Sequence, residues 1–327
     1  MQRLVPDEVI QTDGLTKRFG NLIAVQALDL RVGRGEIYGF LGPNGAGKTT
    51  TIMLLLGLLH PTSGAVRLFG QPVRANDTAL KRRIGVMAEH AYLYTHMTAW
   101  EYLSFFSDLY DVPRKRERIS QLLTLVDLFD RRHSYLREFS RGMQQKISLV
   151  RALLHDPELL LLDEPTAGLD PYGIKQVRDI LLSEQECGKT ILVSSHILSE
   201  VERTANRVGV IVGGRLQAQD SVERLIQGMQ AETVVEIELY QEVPDLVDQL
   251  RALPFVNQVE MNGPKLIVSL SPADEKDYSV ELFSAIANGG GVIVHMAAQK
   301  RTLEDAFFSI AEGDALNWRG QHESNHA

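Results

Sequence analysis

The residues whose types and spacing most directly imply chemistry are Gly42-Pro43-Asn44-Gly45-Ala46-Gly47-Lys48-Thr49, with Thr50 next in line. They satisfy the pattern G-x-x-x-x-G-K-[ST], which here follows an apolar run, Glu36 to Gly42, and opens a helical one, Gly47 to Leu59. Glycines let successive backbone N–H groups point inward with no Cβ in the way, and a helix N-terminus adds partial positive charge. The loop therefore predicts a cradle for a phosphate chain. Lys48 is the mobile cation for the β- and γ-phosphates, and the Thr49 hydroxyl is a ligand for Mg²⁺. A chance glycine turn before Lys-Thr is the bland alternative, and the strand-then-helix context weighs against it.

A second constellation lies downstream. Leu159-Leu160-Leu161-Leu162-Asp163 has the continuous apolar character of a strand buried on both faces, and it ends in a carboxylate suited to holding Mg²⁺ through water. Glu164 follows directly and can accept a proton from a water in line with a γ-phosphate, which makes it the candidate base. By itself an Asp-Glu pair after a strand reads as solvated loop. The cradle upstream, and Pro165 stiffening the turn, reverse that reading.

These groups need a scaffold that brings strand ends to one edge. Residues from about 8 to 220 alternate short apolar runs with helical patterns, the mark of an α/β sheet packed by helices. Strands are predicted at Glu36 to Gly42, Glu158 to Asp163 and Thr190 to Ser195, and a glycine-turned hairpin at Val208 to Val212 and Arg215 to Gln217. Between Trp100 and Leu154 strand signals give way to helical spacing, which predicts a helical subdomain inserted at about residues 90–155.

Past Gln219 a polar, helical connector, 221–232, leads to a smaller unit at 233–312. Val235, Ile237 and Leu239 alternate with glutamates as a half-buried strand does, and Val243, Leu246, Val247 and Leu250 recur at helical spacing. Strands at Val256 to Met261 and Lys265 to Leu270, a helix around Leu282 to Ile286 and a strand at Gly291 to Met296 complete β-α-β-β-α-β. That order predicts a ferredoxin-like α+β unit. Thr302 and Asp305 predict a capping box for a final helix, and 313–327 are expected to form a disordered tail.

Phe139-Ser140-Arg141-Gly142-Met143-Gln144-Gln145 precedes the Asp-Glu pair, and Ala167-Gly168-Leu169-Asp170 follows it. With the cradle, these strings resemble the ATP-binding-cassette ATPases over residues 8–220. Arg141 and Met143 stand where the commonest signature has small residues, a form similar to that of drug, antibiotic and polysaccharide exporter ATPases. The resemblance implies a P-loop cassette with a RecA-like core, an antiparallel β subdomain and a helical subdomain. It implies that Phe19 stacks on adenine, that His196 contacts the γ-phosphate and that Glu89 stands in the place of a glutamine sensing Mg²⁺ and the attacking water. It implies that Ser140, Gly142 and Gln144 complete the nucleotide pocket of a second copy, and that Asp170 couples the two sites. ATP and Mg²⁺ are the implied cofactors, and a transmembrane permease and a cassette homodimer the implied partners, with the chain peripheral at the cytoplasmic face of a membrane.

Bulk properties narrow the field. The net charge of −8, from 34 basic against 42 acidic residues, gives no sign of nucleic-acid binding, and Arg114-Lys115-Arg116 reads as a solvated helix face. No apolar run approaches the roughly 18 residues that a bilayer span needs, and no secretory signal is expected at Met1 to Glu8. The single cysteine, Cys187, excludes an internal disulfide and fits a reducing compartment. The rival readings are a soluble, non-transport cassette and a cassette gated by a ligand at its C-terminal unit. One cradle and no sustained heptads weigh against the first, and no obvious ligand motif supports the second.

Overall fold

The computed structural model describes residues 8–90, 92–227, 233–271, 278–298 and 302–311. The chain divides into two compact units, Ile226–Ala306 and the remainder.

The larger unit is built on a six-stranded sheet in the order Arg215–Ser221, Arg207–Val212, Ile37–Leu41, Thr190–Ser195, Leu159–Asp163, Ile84–Met87. All neighbours pair in parallel except the edge hairpin Arg207–Val212 with Arg215–Ser221. Every residue of Leu159–Asp163 and of Thr190–Ser195 is buried, because both faces of the sheet are covered. Successive side chains of a strand point to opposite faces, and the packing obeys this. Leu160 and Leu162 join a core with Ile147, Val150, Val177 and Ile180, whereas Leu159 and Leu161 join one with Ile52, Leu55, Val25 and Ile10. Each such leucine removed from water contributes about 1.5–3 kcal/mol.

The second of those cores is closed by an antiparallel sheet around Glu8–Phe19, which pairs with Leu22–Leu28, Arg31–Gly33 and Ser63–Leu68. Residues 99–153 contain the helices Ala99–Leu109, Lys115–Leu125 and Arg141–Leu153. The first of these helices opens with a capping box, in which Thr98 Oγ1 accepts from Glu101 N at 3.2 Å and Glu101 Oε2 accepts from Thr98 N at 2.8 Å. Before the strand Leu159–Asp163, Arg83 grips Glu158 with two N–H donors at 2.6 and 2.9 Å, and Lys189 Nζ donates to Asp156 at 2.6 Å. These bonds hold both carboxyls below their usual range. His155 is stacked on Tyr110 with ring centroids 4.1 Å apart, and burial pushes its imidazole below the usual value.

The smaller unit is a four-stranded antiparallel sheet in the order Val256–Asn262, Lys265–Leu270, Thr233–Leu239, Ile293–Ala298, with helices Leu246–Arg251 and Ser279–Asn288. This is the ferredoxin-like arrangement the element order predicts. Of the boundaries that differ from expectation, two have a plain local cause. The first helix starts at Leu246, not at Val243, because Pro244 stands between them. The last strand starts at Ile293, because Gly290, at φ +82°, and Gly291 form the turn that feeds it. The expected capping box is formed, with Thr302 Oγ1 accepting from Asp305 N at 3.3 Å and opening a helix at 303–311. The expected tail at 313–327 and the connector beyond Gln227 lie outside the described residues.

Candidate active site

The cradle is shaped by two glycines that no other residue could replace without displacement. Gly47 has φ +106°, and a Cβ there would lie 2.4 Å from the Ala24 carbonyl oxygen; a Cβ on Gly42 would lie 2.4 Å from that of Ile211. The helix Lys48–Leu55 starts from this loop. It ends four residues before the expected Leu59, because Gly57 takes φ +65°.

Lys48 is buried, and its Nζ donates to the carbonyls of Gly42 at 2.7 Å and Pro43 at 3.3 Å. It lies 3.8 Å from Glu164 Oε1. Thr49 Oγ1 donates to Asp163 Oδ2 at 2.7 Å, and the Ser194 hydroxyl donates to the other oxygen of that carboxylate. A hydroxyl paired with a carboxylate at the mouth of a phosphate cradle is a hard-oxygen donor set, which suits Mg²⁺. No cluster of three or more His, Cys, Asp or Glu able to hold a metal exists among the described residues. An ion here would therefore depend on ligand oxygens as well, as Mg²⁺ commonly does.

Glu164 carries the strain of the site. It has φ +51°, a left-handed conformation that costs a non-glycine residue about 1–3 kcal/mol. The surroundings enforce it: Glu164 N donates to Ser194 O and Ser194 Oγ, each at 3.1 Å, and Glu164 O accepts from Gln145 Nε2 at 2.9 Å. Its side chain is buried between Lys48 and His196, whose Nδ1 lies 2.8 Å from Glu164 Oε2.

One cavity of about 580 Å³ gathers these groups. Phe19, Pro43, Asn44, Gly45, Gly47, Lys48, Thr49, Thr50, Glu89, Asp163, Glu164 and His196 all line it, twelve of the residues the sequence singled out. Phe19 is half exposed with Lys17 Nζ 5.0 Å from its ring centroid, so it is a face on offer and not a core phenylalanine.

The ABC transporter family model matches residues 25–167. The bacitracin transport ATP-binding protein BcrA of Bacillus licheniformis is 46% identical over 209 residues, 64% of this chain and 68% of that protein. The Nod factor export ATP-binding protein I of Cupriavidus pinatubonensis is 34% identical over 308 residues, 92% of this chain and 90% of its own. This chain belongs to the ABC transporter ATP-binding family. An uncharacterized ABC transporter ATP-binding protein of Nostoc is 43% identical over 209 residues, and the chain spans 62% of its length. A solved structure of an ATP-binding subunit of an ABC transporter superposes with a TM-score of 0.63 at 30% identity, covering 67% of this chain and 92% of that one.

Several expected site residues of this ABC cassette lie away from its own cavity. Gly42 and Ala46, both in the cradle loop, are not among the residues that line it. Ser140 caps the helix Arg141–Leu153 by accepting from Met143 N at 3.3 Å, and Gly142 lies in the first turn of that helix. Gln144 Nε2 donates to the Phe139 carbonyl at 3.2 Å, and Asp170 Oδ1 accepts from Gly173 N at 2.7 Å, capping Pro171–Glu186. Sequence reasoning missed Leu22, Ile23, Ala24, Arg141 and Ala167 in the wall, and Gln145 behind it. The unbroken apolar run Leu22-Ile23-Ala24-Val25 could have marked the first three as one strand beside Phe19. The signal for Arg141 was its charge, at a position where a small residue is common.

Proposed function

We propose that this chain binds and hydrolyses ATP in the cavity at the cradle and so powers a separate transmembrane exporter, lying peripherally at the cytoplasmic face of the membrane. The observation that carries the reading is the meeting of Lys48, the Thr49–Asp163 pair and the strained Glu164 with His196 on one cavity wall. Phe19 offers its face to adenine, and the cradle N–H groups and Lys48 hold the phosphates. Mg²⁺ would be held by Thr49 and Asp163, with Glu89 nearby, and would neutralise charge on the β- and γ-phosphates. Glu164 takes the proton of an attacking water as the water oxygen bonds to the γ-phosphorus. The bond to the bridging oxygen breaks and its electron pair leaves on ADP. His196, hydrogen-bonded to Glu164, holds the base in place and faces the terminal phosphate.

Ser140, Gly142 and Gln144 stand outside their own cavity, which supports their use at the site of a second copy, with Asp170 at the junction. Closure of such a homodimer on ATP would move the helical insertion, with the loop at Glu89 as the hinge to the permease. Export is supported by the Nod factor export relative, together with the signature form Ser140-Arg141-Gly142-Met143-Gln144. No helix among the described residues is long and apolar enough to cross a membrane, so the reading requires a separate permease. Residues 233–312 take the part of an accessory, dimerisation-type domain.

Lys48→Ala tests the site: ATP binding, followed by titration calorimetry, should be lost. The transport half is tested by purifying the tagged chain from membranes in mild detergent, where a polytopic partner should be retained. Recovery of the chain without one would count against the exporter reading.

A further inference from the structure

Ser194 is fully buried near the end of the strand Thr190–Ser195, in register with Asp163 on the parallel strand Leu159–Asp163. A strand covered on both faces selects apolar side chains, and a hydroxyl there is unfavourable unless it is hydrogen-bonded. Ser194 is bonded twice. Its oxygen accepts from Glu164 N at 3.1 Å, and its single proton goes to Asp163 Oδ1. A backbone N–H can only donate, so the direction of the chain is fixed, from Glu164 N–H through Ser194 O–H to the Asp163 carboxylate.

The two residues joined in this way are the adjacent carboxylates of the site. Asp163 is gripped on both oxygens, by Thr49 Oγ1 from the cradle helix at 2.7 Å and by Ser194 from the neighbouring strand. Donors on both oxygens fix the plane of the carboxylate and leave further lone pairs on each oxygen free to bind. Glu164 is held through its backbone instead. A φ of +51° persists only where the surroundings over-determine it, and here Glu164 N meets both the carbonyl and the hydroxyl of Ser194. Ser194 does not itself line the cavity, and Lys48 and Phe19 make no bond to it.

We propose that Ser194 is a positioning residue for hydrolysis, one hydroxyl that sets the Asp163 carboxylate and the Glu164 backbone together without touching the nucleotide. The inference rests on the reading of this cavity as an ATP site with Glu164 as base. Displacement of a reacting group by even a fraction of an ångström acts on the chemical step, whereas the groups that grip the nucleotide stay in place.

Thr190 supplies a matched control. It lies on the same face of the same strand, is equally buried, and its Oγ1 accepts from Gly35 N at 2.9 Å, at the end away from both carboxylates. Ser194→Ala, Thr190→Ala and the wild-type full chain should be compared for ATP turnover, and for AMP-PNP binding by calorimetry with Mg²⁺ and with EDTA. Ser194→Ala should lower kcat at least about tenfold while KM for ATP, and AMP-PNP affinity in EDTA, stay within about twofold. The gain in AMP-PNP affinity on adding Mg²⁺ should shrink in this variant. Thr190→Ala should lower the thermal midpoint and leave kcat and KM unchanged. A Ser194→Ala chain that turns over at the wild-type rate would overturn the proposal. So would a fall in kcat matched by Thr190→Ala, or a loss of AMP-PNP affinity in EDTA as large as the loss of turnover, since either marks a merely structural role. A wild-type chain that binds no AMP-PNP would instead overturn the cavity reading itself.

Discussion

The two sheets of this molecule bury their strands in different ways, and the difference shows why chemistry gathers at only one of them. In the smaller unit Thr233–Leu239 alternates: Val235, Ile237 and Leu239 are buried, and Glu236 and Glu238 point to the uncovered face with Lys265 and Glu260. Its charges stay in water and cost little. In the larger unit both faces of the sheet are covered, so polar groups can emerge only at strand ends. Asp163, Glu164, Ser194 and Ser195 are all buried there, and each carboxylate has a partner. Buried charge costs several kcal/mol unless it is paired, so its concentration at one edge marks the edge that does work.

The sharpest test of this contrast is a matched pair of core truncations. Leu160→Ala and Leu266→Ala each remove a fully buried leucine and should each cost about 2–5 kcal/mol, read from denaturant midpoints. Only the first should also depress ATP turnover. Equal losses of turnover would show that the two units do not separate as described. Next in size is Gly47→Ala, which forces a Cβ against the Ala24 carbonyl. With about 1–3 kcal/mol of strain, nucleotide affinity should fall roughly tenfold to a hundredfold. Gly263→Ala, at φ +62° in the hairpin of the smaller unit with nothing within 4 Å, should leave nucleotide affinity unchanged.

The smallest effect concerns pH. Burial holds the His155 imidazole below its ordinary value of 6.5, so the folded state disfavours its protonation. The associated stability is complete above pH 6.5 and is lost as pH falls below it through the folded-state value. Thermal midpoints should therefore decline on acidification through this range, and His155→Gln should remove that part of the slope. The depressed carboxyls of Asp156 and Glu158 give a further loss of the same sign at lower pH.

Much of the site was legible in the sequence, because strand ends and glycine loops are local features. Asp163 and Glu164 follow four leucines, and the cradle needs only its own spacing. The elements were legible for the same reason, and Thr190–Ser195 and Lys265–Leu270 have their predicted limits. What stayed hidden depends on distant partners. Leu22, Ile23 and Ala24 reach the wall only because Leu22–Leu28 pairs with Glu8–Phe19. Arg141 reaches it only because Gly168 makes room, and Gln145 matters only through the Glu164 carbonyl. The strain at Glu164 is likewise a product of Ser194 on a neighbouring strand.

The central claim is that Glu164 is the base at a site that binds ATP without it. Glu164→Gln keeps the side-chain shape and removes the proton acceptor, so phosphate release should be followed beside ATP binding in this variant. Binding should be retained while turnover falls at least about a hundredfold. Turnover at the wild-type rate would contradict the assignment.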